Sequence, residues 1–428
     1  MKGSFRDTNG CEDAGGEAPI LVEPVAEPAR DATFRDVVSA IQTGKKDEAL
    51  QLATALVMHD PYSSENHGAM ANALLAVRRY EESLLHARRA LALDPYDLDA
   101  QNVLSQGLMK AGRIEEAKAA LDEVLWRAPD SIRERWMRAF ANLTLFNFKQ
   151  GFEDYEYGYL ASRRSLRSAP GRMWRGERVG SLLIHGEQGL GDQIQFARYI
   201  SEAAKRAGGT VLLEVSPQLL GVFENMADKI WAPTSDRSVP VPFDAYISLL
   251  SLPHVLGVTE VEGSPYLRPP ALDLELDGAR VAFCWQGNPD YSEDEDRSLT
   301  IEEARRFEGA APFVLIQVSG EAPFECPRLR GTDLAVTAAI LERVDLVVSV
   351  DTCIAHLAGA IGKECWLITP RYGDWRWGKD GNRSPWYDSI EVFRCPEGDR
   401  TIPIQAIRER LLARFGASTE RKREEATV

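Results

Sequence analysis

Three glycine-bearing stretches of this chain place ionisable and hydrogen-bonding side chains where a strand pattern gives way to a helix pattern. The first is HGEQGLGDQIQFARY, residues 185–199. Gly186, Gly189 and Gly191 allow tight backbone turns and the close approach of a ligand, and Gln193 adds an amide beside them. A carboxylate at a strand end can reach a substrate hydroxyl, so Asp192 is a candidate general base. Glu187 is a weaker candidate for the same proton. The plainer role for Asp192 is to cap the adjoining helix. The stretch lacks the G-x-G-x-x-G order of dinucleotide sites and the acidic residue about 20 positions further on.

The second stretch is VSVDTCIAHLAGAIGKECWLIT, residues 348–369. A buried strand ends at Val350, and Asp351 or Thr352 caps a short helix. The free N–H groups and positive dipole end at such a helix start suit a diphosphate. Thr352 adds a hydroxyl. His356, one turn on, either faces that ligand or packs in the interior. Gly359 and Ala360 permit close packing, and Gly362 suits the helix end.

The third combines CWQGNPDYSEDEDRSLTIEE, residues 284–303, with PRYGDWRWGKDGNRSPWYDSIEVFR, residues 370–394. Trp285, Gly287, Asn288, Arg297 and Ser298 lie in the first. Arg371, Arg376, Lys379 and Arg383 lie among Trp375, Trp377 and Trp386 in the second. Cations with hydroxyl and amide donors can hold phosphates, and flat aromatics can flank a base. The plainer alternatives are a salt-bridged surface and a packed core edge. The acidic run Ser292 to Asp296 reads as a mobile, solvated loop without EF-hand spacing.

The elements that position these loops emerge from periodicity. After about residue 178, short apolar runs alternate with helical patterns: SLLIHG, DQIQFARYISEAAKRAG, TVLLEV, then SPQLLGVFENMA. This is the grammar of a parallel sheet covered by helices. Residues 264–278 hold three prolines and end in glycine, which predicts a linker. The alternation then resumes, with a capping box at Thr300 and Glu303. Two Rossmann-like α/β lobes, at 178–263 and 279–415, would enclose a cleft, with ligands at the carboxyl ends of the strands.

Residues 31–160 repeat instead. Pro61, Pro95 and Pro129 are 34 residues apart, and Ala49, Ser83 and Ala117, and Gly44, Arg78 and Gly112, keep the same phase. Two apolar helical stripes per period, with small residues where helices must touch, resemble the tetratricopeptide repeat. Three repeats fall at about 31–62, 63–96 and 97–130. A degenerate fourth pair, rich in aromatics from Trp136 to Tyr159, reads as a capping layer that packs the solenoid against the next part of the chain. The concave face of such a solenoid usually holds peptide. Residues 1–30 and 416–428 read as a flexible arm and tail.

Composition narrows the function classes. The 428 residues carry 65 acidic and 50 basic side chains, a formal net charge of -15, which argues against nucleic acid or an anionic membrane as a general partner. No apolar run reaches the ~18 residues a bilayer span needs, and no apolar leader opens the chain, so a cytoplasmic location is expected. The six cysteines, Cys11, Cys284, Cys326, Cys353, Cys365 and Cys395, form no C-x-x-C pair and no zinc-spaced cluster with histidine. Free thiols and no metal are the expectation.

The strings GEQGLGDQIQFARY, WQGNP…RS, SVDTCIAHLAGAIG and DWRW…SPWY resemble bacterial glycosyltransferases related to the lipopolysaccharide heptosyltransferases. More closely, about residues 35–415 resemble the bacterial tetratricopeptide-repeat glycosyltransferases. The resemblance implies a GT-B-like fold, a nucleotide-sugar donor and metal-independent transfer. It maps the catalytic base onto Asp192 and donor-diphosphate binding onto Asp351, Thr352 and His356. Some repeat-bearing relatives glycosylate proteins such as flagellin, so the implied acceptor is a protein or glycan held by the repeats. The first lobe is short for such enzymes, and the repeats would then supply part of the acceptor wall. The other reading is a non-catalytic scaffold or sensor that retains a sugar-nucleotide fold.

Overall fold

The computed structural model describes residues 33–164, 171–235, 238–291, 294–316, 321–329 and 333–425. The arm expected over 1–30 lies outside them. Helical pairs come first: α1 (Phe34–Gln42) with α2 (Lys46–His59), and α3 (Ser64–Ala76) with α4 (Tyr80–Leu93). Next come α5 (Leu98–Lys110) with α6 (Ile114–Arg127), and α7 (Ile132–Thr144) with α8 (Phe148–Tyr155). The 34-residue phase has a backbone cause. Gly44, Arg78, Gly112 and Phe146 all take positive φ, between 60° and 77°, at the turn inside each pair. Glycine adopts that conformation without strain, and two of the four positions do without it. Small residues sit where paired helices meet. A Cβ on Gly151, in phase with Ala49, Ser83 and Ala117, would stand 2.7 Å from a Leu143 methyl. The fourth pair therefore keeps the register of the other three.

A left-handed conformation in a non-glycine residue costs of order 1 kcal/mol or more. Arg78→Gly is therefore expected to raise the thermal midpoint of the chain. A lower midpoint would show that the arginine side chain outweighs its backbone cost.

The chain divides into two compact units, with the boundary between Asp97 and Leu98. The first holds α1 to α4 around a core of Val37, Ala49, Ala53, Ala69, Ala73 and Leu74. The second holds everything from α5 onward. The boundary thus falls inside the repeated stretch, between its second and third helical pairs. The cause is packing: Phe148, Phe152 and Tyr155 of α8 lie in the same buried cluster as residues of both sheets.

The second unit contains two sheets. The first is built from β1 (Arg172–Met173), β2 (Ser181–His185), β3 (Thr210–Glu214), β4 (Lys229–Trp231) and β5 (Ala245–Ser248), with α9 (Leu190–Ala197), α10 (Ile200–Ala207) and α11 (Leu252–Leu256). Its strand order is β1-β5-β2-β3-β4, parallel throughout. The second sheet has β6 (Val281–Cys284), β7 (Phe313–Leu315), β8 (Leu346–Val350), β9 (Cys365–Pro370), β10 (Arg383–Ser384) and β11 (Tyr387–Cys395). Its helices are α12 (Asp294–Arg297), α13 (Ile301–Arg305), α14 (Leu334–Arg343), α15 (Cys353–Ile361) and α16 (Thr401–Glu425). The order is β10-β11-β9-β8-β6-β7, with only β10 antiparallel.

Both faces of the second sheet are covered, so its strands are apolar on both sides. Val281, Phe283, Leu346 and Val348 point into a cluster with Ile404, Ile407 and Leu411 of α16. Ala282, Cys284 and Val347 point into the larger cluster shared with the first sheet. The result is the expected class: helical repeats followed by two parallel α/β sheets.

The proline-bearing segment 264–278 contains no helix or strand. It is nonetheless anchored. Tyr266 and Leu267 donate backbone N–H groups to the Ala360 carbonyl, at 2.9 and 3.0 Å, and the Tyr266 hydroxyl donates to the Ile194 carbonyl at 2.7 Å. The helix α16 runs on to Glu425, through most of the stretch expected as a flexible tail. Among the described residues, no helix is long and apolar enough to cross a membrane.

Candidate functional site

Strand order decides where a crevice opens. In the first sheet the chain moves outward from β2 to β4 and then returns to place β5 on the other side of β2. In the second it leaves β6 for β7 and returns to place β8 on the other side of β6. Ligands bind at such reversals, outside the carboxyl ends of the strands. The loops at these reversals are the ones whose sequences carry the glycines and ionisable groups: 186–189 after β2, 285–291 after β6, and 351–352 after β8.

The first loop delivers Asp192. Its helix begins at Leu190, so Gly189 is the N-cap and Asp192 stands at the third helical position. Asp192 is therefore not the cap itself. Its Oδ2 accepts the Gly189 N–H at 3.0 Å, and its Oδ1 accepts from Nη2 of Arg376 in the second lobe. Burial pushes the carboxyl above its ordinary range. Arg376 pulls it back in part, and the nearby Asp374 pushes it up again. A raised carboxyl suits a general base, whose best pKa lies nearer the working pH than that of a free carboxylate. Gly191 is where the lobes touch: a Cβ there would lie 2.8 Å from Cδ2 of His356.

Arg376 is buried and its N–H groups are largely committed. Nη1 donates to both oxygens of Asp374, at 2.8 and 2.9 Å, and Nε donates to Oε1 of Gln195. The guanidinium lies 4.3 Å from the Trp375 ring centroid. Sequence reasoning missed Asp374 and Gln195, although both were within reach of spacing rules. Asp374 precedes Arg376 by two and accepts its backbone N–H at 3.0 Å. Gln195 lies three residues beyond Asp192 on α9, which puts both on one helix face.

The loop after β8 forms the second wall. Thr352 is the N-cap of α15, and its hydroxyl accepts the Ile354 N–H at 3.3 Å. Of the two cap candidates it is the threonine that caps. Gly362 ends the helix with φ 78°. Asp351 is raised by burial first and by Asp374 second, while the Trp377 indole and the Arg376 and Arg297 charges oppose the rise. His356 does not project freely. Its Nδ1 is 3.0 Å from the Tyr387 hydroxyl, and its ring stacks on Trp377 at 5.2 Å between centroids. Burial, then the neighbouring arginines, hold it well below the usual imidazole range, so it is neutral.

The loop after β6 is tied to the same wall. Arg297 Nη1 donates to the Asp351 carbonyl at 3.0 Å, and its Nε donates to Asp294 at 2.8 Å. The Ser298 hydroxyl donates to Asp294 and accepts the Gly287 N–H, both at 2.8 Å. Asp294 is buried and organises the loop. The acidic run around it therefore contains an anchor rather than a purely solvated loop, although Ser292 and Glu293 lie outside the described residues. A Cβ on Gly287 would stand 2.3 Å from Asp294 Oδ1 and 2.4 Å from Arg297 Nη2. Gly287→Ala is thus expected to displace Arg297 and weaken binding of an anionic ligand by about tenfold or more, as for loss of a charge-assisted hydrogen bond. Titration of the purified variant checks this.

The remaining expected residues divide. Asn288 stays in this loop, accepting the Asp290 N–H at 3.1 Å. Gln193 spends its amide on the framework, donating to Ser216 Oγ at 2.9 Å and accepting the Ser216 N–H at 3.0 Å. Trp285 is 2% exposed and packs on Phe283. Trp375, Trp377 and Trp386 are buried as well. None of these indoles stands free to flank a base. Trp386, for one, meets Phe148, Phe152 and Phe196, and Trp375 packs on Trp386. Glu187 turns away from the cleft toward Arg164, a buried arginine outside every motif.

This geometry can be set beside known proteins. The family model for the tetratricopeptide repeat matches residues 74–137. Protein FlbA of Caulobacter vibrioides is 24% identical over 415 residues, covering 82% of this chain and 67% of that protein. A glycosyl transferase family 9 structure from Veillonella parvula superposes with a TM-score of 0.41 at 12% identity, covering 56% of this chain and 99% of that one. An O-GlcNAc transferase mutant from Thermobaculum terrenum covers 91% of this chain and 94% of its own, with a TM-score of 0.32 at 15% identity. With the 34-residue phase of their helices and the family-model match, the repeated helical pairs of this chain are tetratricopeptide repeats.

Proposed function

We propose that this chain is a glycosyltransferase that moves a sugar from a nucleotide-activated donor to an acceptor hydroxyl, the acceptor being a protein or glycan recruited by the repeats. The observation that carries the reading is the meeting of Asp192 with Arg376 beside the capped start of α15. A carboxylate from one sheet reversal is thereby held against the cation and amide dipoles of the other. The motif resemblance around these same residues supports it.

In this reading Asp192 accepts the proton of the acceptor hydroxyl as that oxygen attacks the anomeric carbon. The bond to the nucleoside diphosphate breaks through a transition state of oxocarbenium character. The leaving diphosphate gains charge beside the N–H groups at the start of α15, the Thr352 hydroxyl and Arg297. Preorganised donors aimed at developing charge are worth about 10²–10³ each in rate. Arg376, with most of its donors committed to Asp374, Gln195 and Asp192, sets the base more than it grips phosphate. Neutral His356, on α15 itself, ties that helix to Tyr387 and Trp377.

The test is a panel of ADP-, GDP-, UDP- and CMP-sugars, followed by thermal shift and by release of the nucleoside phosphate, with and without cell-extract acceptors. Stabilisation together with nucleotide release supports the transferase. Stabilisation with no release under any condition would make the chain a sensor or scaffold, and no response to any donor would remove sugar nucleotides from the account.

A further inference from the structure

The loop after β2 leads into α9 and sets where Asp192 stands. Gly186 and Gly189 punctuate it, Gly191 follows at the second position of α9, and Gln188 sits in the left-handed region at φ 60°. Such a loop needs outside support to hold one geometry. The support comes from the segment just beyond the last helical pair. Arg164 has a side chain with no exposed surface. Its Nε lies 3.1 Å from Glu187 Oε1, its Nη1 donates to Glu156 at 2.7 Å, and its Nη2 donates to the Tyr159 hydroxyl at 2.7 Å and to Ser251 Oγ at 2.9 Å. Glu187 Oε1 also accepts from the Tyr159 hydroxyl, at 3.2 Å, and from Ser248 Oγ. The guanidinium lies over the Tyr159 and Tyr155 rings, at 4.1 and 5.0 Å, and the Tyr155 hydroxyl reaches Gln188 Oε1 at 3.4 Å.

A buried network of this kind is a weak source of stability, because desolvation offsets much of the attraction. What it does supply is one fixed arrangement. We infer that Arg164 and Glu187 are positioning residues: they clamp the loop after β2 to the end of the helical repeats and so hold Asp192 where it can take the acceptor proton. Neither touches a reacting atom. The inference rests on the transferase reading for its kinetic consequence, and on the loop alone for its structural one.

The test uses Glu187→Gln and Arg164→Lys in the full chain, each alone and combined with Asp192→Asn. Glu156 remains to pair Arg164 in the first variant, and the lysine keeps the charge in the second, so folding is retained and is checked by melting. Amide exchange across 186–192 is expected to rise at least about tenfold, while β2 itself is unchanged. With a donor from the panel, kcat is expected to fall about 10–100-fold with KM for the donor nearly constant, the signature of a misplaced group. In the Asp192→Asn background the same changes should add almost nothing, since groups that act as a unit are non-additive. Equal losses in both backgrounds, or unaltered loop exchange, overturn the inference. If Asp192→Asn itself transfers at the wild-type rate, or no donor turns over, the transferase reading fails and loop exchange alone decides whether the clamp exists.

Discussion

Asp192→Asn is expected to lower kcat for glycosyl transfer by about 10²–10⁴-fold, the range for removing a positioned general base. The amide keeps the shape of the carboxylate, and its oxygen can still accept the Gly189 N–H, so α9 should stay capped and the fold intact. What is lost is the ability to take a proton, together with the charge that faces Arg376, which keeps Asp374 as its ion-pair partner. Donor binding, measured by calorimetry with the nucleoside diphosphate that stabilises the chain best, should change little. The pair of results separates chemistry from architecture. A variant that transfers at the parental rate, or one that no longer binds the diphosphate, would show that the carboxylate has a different job.

The second large effect is expected at Arg376. Replacing it by methionine removes the cation between Asp192 and Asp374 and leaves two carboxylates facing each other in a poorly hydrated place. Breaking such a pair from one side costs about 2–3 kcal/mol here, below the range for full burial because the Asp374 side chain is a third exposed. The pH dependence has a definite sign. Arg376 is the main influence holding the Asp192 carboxyl down against burial and Asp374. Without it the carboxyl rises further, less of the base is ionised at a given pH, and the acid limb of kcat/KM moves to higher pH. Arg376→Lys should show a smaller displacement, since it keeps the charge but not the planar fork. A limb that stays in place, or moves to lower pH, would detach Arg376 from the base.

Much of this arrangement was legible in the chain because it rests on local rules. The 34-residue phase marks a repeated left-handed turn and a repeated close approach of helices. Glycines after short apolar runs mark the loops at the two sheet reversals, and Thr300 with Glu303 forms the capping box that the spacing predicts. Other features depend on partners far apart in sequence. Arg164 meets Glu187 and Ser251 across 23 and 87 positions, and nothing next to it announces that. Asp294 sits within an acidic run that by composition belongs in water, yet Ser298 and Arg297 draw it inside. The tryptophans near Arg376 could have faced either a base or a core. The aromatic residues of α8, which decide the matter, lie more than 200 residues earlier.

The third and fourth helical pairs have a further bearing. A Cβ on Gly112 would run into the Tyr372 ring at 2.0 Å, and one on Gly378 would stand 2.6 Å from Phe146. These pairs therefore pack into the second lobe and are not a detachable prefix. The boundary between the two compact units, at Asp97–Leu98, falls ahead of both of them. Exchanging only the first two pairs leaves these approaches untouched, whereas a longer exchange must bring compatible residues at 372 and 378 with it.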